Sequence, residues 1–222
     1  MSKATKTTSL PHTRKAMPIQ GGRRTLPARL RPGPQKPYAD RPFREVDVEL
    51  GELERLNEHH DLSAFDAGPT DTEGQAAWLQ QHALVNDRRG FTRTFVITYA
   101  GTSRVAAFFG LSSASIEREA LPRRLRQQGT PRTISATLIA RLALDLPVQG
   151  QGLSRELMLA ALGRAVQAQE HVASAFVVVD AAGEKAQRLY GHYQFTAIED
   201  VRGRTTRMVL PMATAVERFQ EP

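Results

Sequence analysis

The chain of 222 residues contains no cysteine. That absence excludes a disulfide-stapled scaffold, a thiolate nucleophile and cysteine-ligated zinc, and it accords with a reducing, cytoplasmic location. Long apolar runs are missing as well. The nearest, residues 134–148, is interrupted by Arg141 and Asp145 and falls short of the ~18 apolar residues of a spanning helix, so no membrane association is expected. Lysine is scarce where arginine is not: from residue 45 onward there are 18 Arg and one Lys, Lys185. With 41% hydrophobic and 24% charged residues, the composition is otherwise that of a globular domain with something added.

Acidic residues are almost absent from the N-terminal fifth. Residues 1–44 hold 11 Lys/Arg against Asp40 alone, a balance of +10, whereas residues 45–222 hold 19 against 22 and carry −3. The overall +7 therefore comes entirely from the arm. Seven prolines and Gly21, Gly22 and Gly33 punctuate residues 1–44, and the apolar residues there follow neither a strand nor a helix period. Such a segment cannot offset its ordering entropy, so it is expected to be a disordered basic arm in front of one domain spanning residues 45–222. It has no apolar stretch of about 7–15 residues, so a secretory signal is not expected. Its arginines could touch nucleic-acid phosphates, and the same composition also describes a solvated tail.

Beyond the arm, elements become legible. Thr70 and Asp71 offer a cap for a helix over residues 72–84. Residues 91–99 (FTRTFVITY) and 104–111 read as an antiparallel hairpin turned at Gly101–Thr102. Residues 116–128 are polar, rich in Arg and of helical potential, broken at Pro122. Residues 133–145 (TISATLIARLALD) read as a strand buried on both faces. A long amphipathic helix over 152–170 follows, then a strand over 174–180, a helix over 184–194 and a last strand over 206–212. The fold class is α/β, a mixed and mostly antiparallel sheet flanked by helices.

Between the buried strand and the long helix lie Gln149, Gly150, Gln151 and Gly152. Glycines there let the backbone approach a ligand, and the first helical turn offers free N–H groups and a positive dipole end to an anion. The same residues would also serve as a plain strand-to-helix connector. The segment lacks both the Gly-Lys-Ser/Thr of a Walker loop and the dinucleotide pattern GxGxxG.

Gln149-x-x-Gly152-x-Ser154 after a buried strand resembles motif A of the GNAT superfamily of N-acetyltransferases, [Gln/Arg]-x-x-Gly-x-[Gly/Ala], with Ser154 replacing the small residue. Residues 61–212 further resemble the toxin branch of bacterial toxin–antitoxin pairs. The landmarks are FDAGPTDTEGQAAWL, RTFV, RLALD…QGQGLS and AQRLYGHYQF, in that order. The resemblance implies a GNAT domain that binds acetyl-CoA, with the pantetheine and acetyl group against Leu142, Ala143 and Leu144. It implies a pyrophosphate held by Gln149, Gly150, Gln151, Gly152, Leu153 and Ser154. It implies acetylation of the α-amino group of aminoacyl-tRNA, which blocks translation. A homodimer and a ribbon-helix-helix antitoxin, through which DNA would be contacted, are implied too.

Helical spacing sets Ala186, Leu189, Tyr190 and Tyr193 on one face, which alone reads as core. The resemblance makes Tyr190 the general acid, protonating the departing thiolate, and leaves Tyr193 in the core. An α-amino group titrates near ~7.7–8.0, so no strong base is required and none of the histidines is nominated. His59, His60 and Asp61 lack metal-ligand spacing, and no metal is expected. Single arginines on a solvated face need no ligand. Two clusters on a net-acidic body, however, suggest phosphate contacts: Arg88, Arg89 and Arg93, and Arg123 and Arg124 with Arg118 and Arg126. Two alternatives remain open at this point. One is a GNAT enzyme acting on a small amine or protein amino group; the other is a non-catalytic nucleic-acid-binding regulator of the same fold.

Overall fold

The computed structural model describes residues 48–202 and 205–220, without the side chains of 199–202, 205 and 218–220. The arm expected over residues 1–44 lies outside the described residues. The strands are β1 (Leu50–Arg55), β2 (Arg93–Tyr99), β3 (Val105–Glu117), β4 (Thr133–Leu144), β5 (Phe176–Ala182), β6 (Thr196–Arg202) and β7 (Thr205–Pro211). They form one seven-stranded sheet in the order β1-β2-β3-β4-β5-β7-β6. Every neighbouring pair is antiparallel except β4 and β5. The mixed, mostly antiparallel sheet expected from the sequence is therefore present.

The spine of the sheet is the β3–β4 pair, 13 and 12 residues long. β2 pairs with the first part of β3, from Val105 to Leu111, and β5 pairs with β4 only over Ala136, Thr137 and Leu138. Immediately beyond, the register jumps: Leu111 faces Ile139 but Gly110 faces Arg141, which leaves Ala140 as the extra residue of a β-bulge. A bulge bends its strand and sharpens the local twist. Past it, β4 stays with β3 to Leu144 while β5 continues against β7, so the two parallel strands part company. The sheet opens there.

Helices cover both faces. α1 (Gln75–Trp78), a π-helical turn (Leu79–Ala83) and α2 (Leu84–Arg88) run on as one segment. Leu79 and Ala83 of this segment are fully buried with Phe65, Val96 and Phe108. α3 (Leu153–Ala168) and α5 (Met212–Gln220) cover the other face. Leu157, Met158 and Leu162 of α3 are buried against Ala107, Phe109 and Leu144, each contributing about 1.5–3 kcal/mol by burial. α4 (Gly183–His192) lies on β5 and β7.

The first helix starts later than expected and runs further, because Asp71 reaches over the left-handed Gly74 to accept from the N–H groups of Gln75 and Ala76 at 2.8 and 3.0 Å. The helical reading of residues 116–128 is corrected. Ile116 and Glu117 finish β3, and only 3₁₀ turns at Arg118–Ala120 and Arg123–Leu125 follow. Pro122 denies a helix its N–H, while Ile134 and Thr133 of β4 give residues 116 and 117 a ladder to join. Leu189 is exposed, at 38%, rather than part of the buried face of α4. β1, β6 and α5 were not expected from the sequence.

Candidate active site

The loop between β4 and α3 begins at a buried anchor. Asp145 is fully buried; its Oδ2 accepts from the Tyr99 hydroxyl at 2.7 Å and from Arg104 Nη2 at 2.8 Å, and its Oδ1 from the Asp66 N–H at 2.8 Å. Burial, then the bond to Asp145 and its charge, push the Tyr99 phenol well above its ordinary range. The Gln149 side chain is committed too: its amide donates to the carbonyls of Ala67 and Leu144, both at 2.9 Å. Gln149 thereby clasps the loop to the end of β4, and its own N–H donates to Leu146 O at 3.2 Å.

The next residues are differently placed. Gly150 and Gly152 have φ of 77° and 81°, a left-handed backbone that suits glycine and costs other residues about 1–2 kcal/mol. Among the described residues, the N–H groups of Gly150, Gln151 and Gly152 meet no backbone acceptor. α3 has no side-chain cap, so the N–H groups of Leu153 and Ser154 in its first turn are open as well. A Cβ on Gly150 would find nothing within 4 Å. The open N–H groups, a helix N-terminus and free space beside them fit the pyrophosphate of a coenzyme A. Glu156, one turn in, is the exception: one of its oxygens is buried without a partner among the described residues, and burial raises its pKa, disfavouring the charged form.

The parting of β4 and β5 leads away from this loop. Leu142 and Leu144 of β4 pack toward α3, and Ala143 packs toward the α1 side. Because β5 pairs only as far as Leu138, the β5-side edge of residues 140–144 carries no strand partner. Tyr190 sits on α4, which lies on β5, and is half-buried, its ring 5.8 Å from that of Phe195. Burial first, then the charges of Glu73 and Asp180, push its phenol up to about 12. Tyr193 is buried in the core. Asp180 is itself held by Arg207, Nε to Oδ1 and Nη2 to Oδ2, both at 2.8 Å. Glu73 lies just ahead of α1, two residues before Gln75, and its charge reaches Tyr190.

On the α1 side of the sheet, Arg141 is the residue the sequence reading missed as a site group. Its guanidinium lies 5.3 Å from the Trp78 ring centre and donates to the Glu73 carbonyl at 3.3 Å. The expected arginine clusters are divided. Arg93 Nη1 donates to the Asp87 carbonyl at 2.6 Å and pairs with its carboxylate at 3.4 Å. Arg88 is paired with Glu58, whereas the guanidinium groups of Arg89 and Arg123 have no hydrogen bond or ion pair among the described residues. Arg124 donates to Thr196 Oγ1 at 2.9 Å, beside β6 and apart from the first cluster.

Comparison with known proteins completes the assignment. The model of the acetyltransferase (GNAT) domain matches residues 124–216. The tRNA-acetylating toxin of Mycobacterium tuberculosis is 32% identical over 141 residues, which are 64% of this chain and 81% of the toxin. A structure of AtaT complexed with acetyl-methionyl-tRNAfMet has a TM-score of 0.67 at 25% identity, covering 77% of this chain and 99% of that one. A structure of AtaTR bound with AcCoA has a TM-score of 0.65 at 26% identity, covering 79% of this chain and all of the other. Fold and site define a GNAT N-acetyltransferase, an enzyme that uses acetyl-CoA. Within that superfamily, the chain belongs to the family of the tRNA-acetylating toxin.

Proposed function

We propose that this enzyme moves an acetyl group from acetyl-CoA to the α-amino group of aminoacyl-tRNA and acts as a toxin that stops translation. The observation that carries the reaction is the opening between β4 and β5, with a glycine loop at its β4 end and Tyr190 beside it. Kinship supports the substrate: the Mycobacterium tuberculosis relative is a tRNA-acetylating toxin.

Coenzyme A supplies an activated thioester; the chain supplies position and a proton. Gly150, Gln151, Gly152, Leu153 and Ser154 would hold the pyrophosphate through their N–H groups. The open edge at Leu142, Ala143 and Leu144 would take the amide-bearing pantetheine, as a strand edge takes another strand. Gln149 keeps the loop in shape rather than binding the anion itself. Tyr190 Oη holds a proton and would hand it to the departing sulfur. The acceptor amine, neutral in good part near pH 8, would come from the face that carries Glu73 and Arg141. A homodimer and an antitoxin of the ribbon-helix-helix kind belong to the same reading, as does action in the cytoplasm.

The test is direct. Purified protein, labelled acetyl-CoA and charged tRNA are expected to yield N-acetyl-aminoacyl-tRNA. Label found only on small amines or on protein, with every charged tRNA left unmodified, would reject the substrate.

A further inference from the structure

Phe91 is a large aromatic ring that the fold leaves in water. It is 64% exposed, yet its backbone is fastened on both sides. Its N–H donates to Asn86 O at 2.9 Å, and its carbonyl accepts from Ser112 Oγ at 2.9 Å. A large ring held out into water on a rigid turn keeps its stacking face available at little entropic cost. Its neighbours are cationic: Arg88 and Arg89 lie just upstream, and Arg89 is unpaired among the described residues.

The next residue connects that ring to the opening in the sheet. A Cβ at Gly110 would come within 2.7 Å of Thr92 Cγ2, 3.7 Å of Arg141 Cβ and 3.9 Å of Trp78 Cη2. Thr92, Arg141 and Trp78 therefore converge on one point of β3. Trp78 in turn stacks on buried Phe108, with ring centres 6.0 Å apart and planes 12° apart, so the surface beneath Arg141 is stiff. Among the described residues the Arg141 guanidinium has no carboxylate partner and donates to the Glu73 carbonyl. It lies three residues past Leu138, the last residue of β4 to touch β5. Glu73 also acts electrostatically on Tyr190. An exposed ring next to Thr92, a guanidinium over Trp78 and, through Glu73, Tyr190 are thus linked by successive neighbours.

We propose that Phe91 and Arg141, the latter backed by Trp78, form a track that leads the unpaired 3′ end of the tRNA to Tyr190. The proposal rests on the substrate reading given above. Single-stranded nucleic acid is bound by aromatic rings under its bases and by arginines along its backbone, and this strip offers both in that order. Phe91 takes a base; Arg141 takes a phosphate near the acyl end; Arg89 lies outside for the stem.

Fluorescence anisotropy with two probes tests it: an intact deacylated tRNA, and the same tRNA trimmed of its unpaired 3′ nucleotides. The native chain is expected to prefer the intact probe. Phe91→Ala is expected to bind the intact probe roughly tenfold more weakly and the trimmed probe as before, with Phe91→Tyr restoring the preference. Arg141→Gln is expected to lower the salt slope for the intact probe by about one and to leave that for the trimmed probe unchanged. Equal losses for both probes, or no loss for either, overturn the track. So does a Phe91→Ala chain that turns from dimer to monomer in sedimentation with its tRNA binding intact, which would make the surface a contact between copies. If the native chain binds neither probe and acetylates only small amines, the substrate reading itself fails. If it discriminates and the variants do so equally, the track alone fails.

Discussion

A phenol whose ionisation is pushed up to about 12 keeps its proton across the whole range in which an enzyme works. As the proposed acid, Tyr190 would be competent below that value, so it would impose no descending limb on the pH profile before the protein meets strong alkali. The ascending limb belongs to the acceptor amine, which becomes neutral near ~7.7–8.0. Single-turnover rates are thus expected to rise between pH 6 and about 8 and then stay level to about pH 10; a fall near pH 9 would contradict a shielded phenol. Tyr190→Phe is expected to lower kcat by roughly 10²–10⁴ and to leave the dissociation constant for acetyl-CoA unchanged by calorimetry. Little of this was legible in residue spacing, which marks Tyr190 as core; its packing on Phe195 makes that half true. Only the family resemblance gave it a role. Arg141 and Glu73 could not be read at all, because 68 residues separate them along the chain and only the packing of α1 on β4 brings them together.

Among the elements, the loop after β4 makes a controlled comparison possible. Gly150 and Gly101 have φ of 77° and 71°, and a Cβ on either would meet nothing within 4 Å. Alanine at each site is expected to cost about 1–2 kcal/mol in urea denaturation, since both backbones are left-handed. Only Gly150→Ala is expected to weaken acetyl-CoA binding, by tenfold or more, because its new methyl stands among the open N–H groups. Equal affinities in the two variants would remove the loop from the binding site. Asp145 anchors that loop, and Asp145→Ala is expected to cost about 3 kcal/mol through the loss of three hydrogen bonds at a buried carboxylate. The strands at residues 91–99 and 133–145 were legible because β-branched and apolar residues fill them. β1 (LGELER) and β6 (TAIEDVR) were not, since edge strands have one side in water and carry charge. α5 is too short, at nine residues, for its period to stand out, although Met212 and Ala215 are buried.

At the scale of the molecule, arginine serves two purposes that the sequence does not separate. Asp87, 5% exposed, gathers Arg55 at 2.5 Å, Arg93 at 3.4 Å and the Thr94 N–H at 2.9 Å, which ties β1, α2 and β2 together. Arg93 therefore serves the fold. Arg93→Ala is expected to cost about 1 kcal/mol of stability, its side chain being half in water, whereas Arg89→Ala is expected to leave the thermal midpoint unchanged and reduce the salt slope of tRNA binding by about one. If Arg89→Ala melts early, or leaves the slope as it was, this division is wrong. Net charge revealed nothing of the kind: the +7 of the chain arises in residues 1–44, while the groups discussed here sit on a body that is slightly acidic.

Ala140 sets the phase of β4. Before it, Ile134, Ala136 and Leu138 face one cluster and Ile139 faces the α3 side; after it, Leu142 and Leu144 face the α3 side and Arg141 faces Trp78. Odd and even numbers exchange faces at that residue, as reading frames do at an inserted base. Removing Ala140 would make the alternation continuous: Arg141 would follow Ile139 and still face Trp78, Leu142 and Leu144 would still face α3, and only the bend of the bulge would go. A lineage that lost this one codon would keep the core and straighten β4 at the point where it leaves β5. The bend at the opening thus hangs on a single residue that the core faces of β4 do not need.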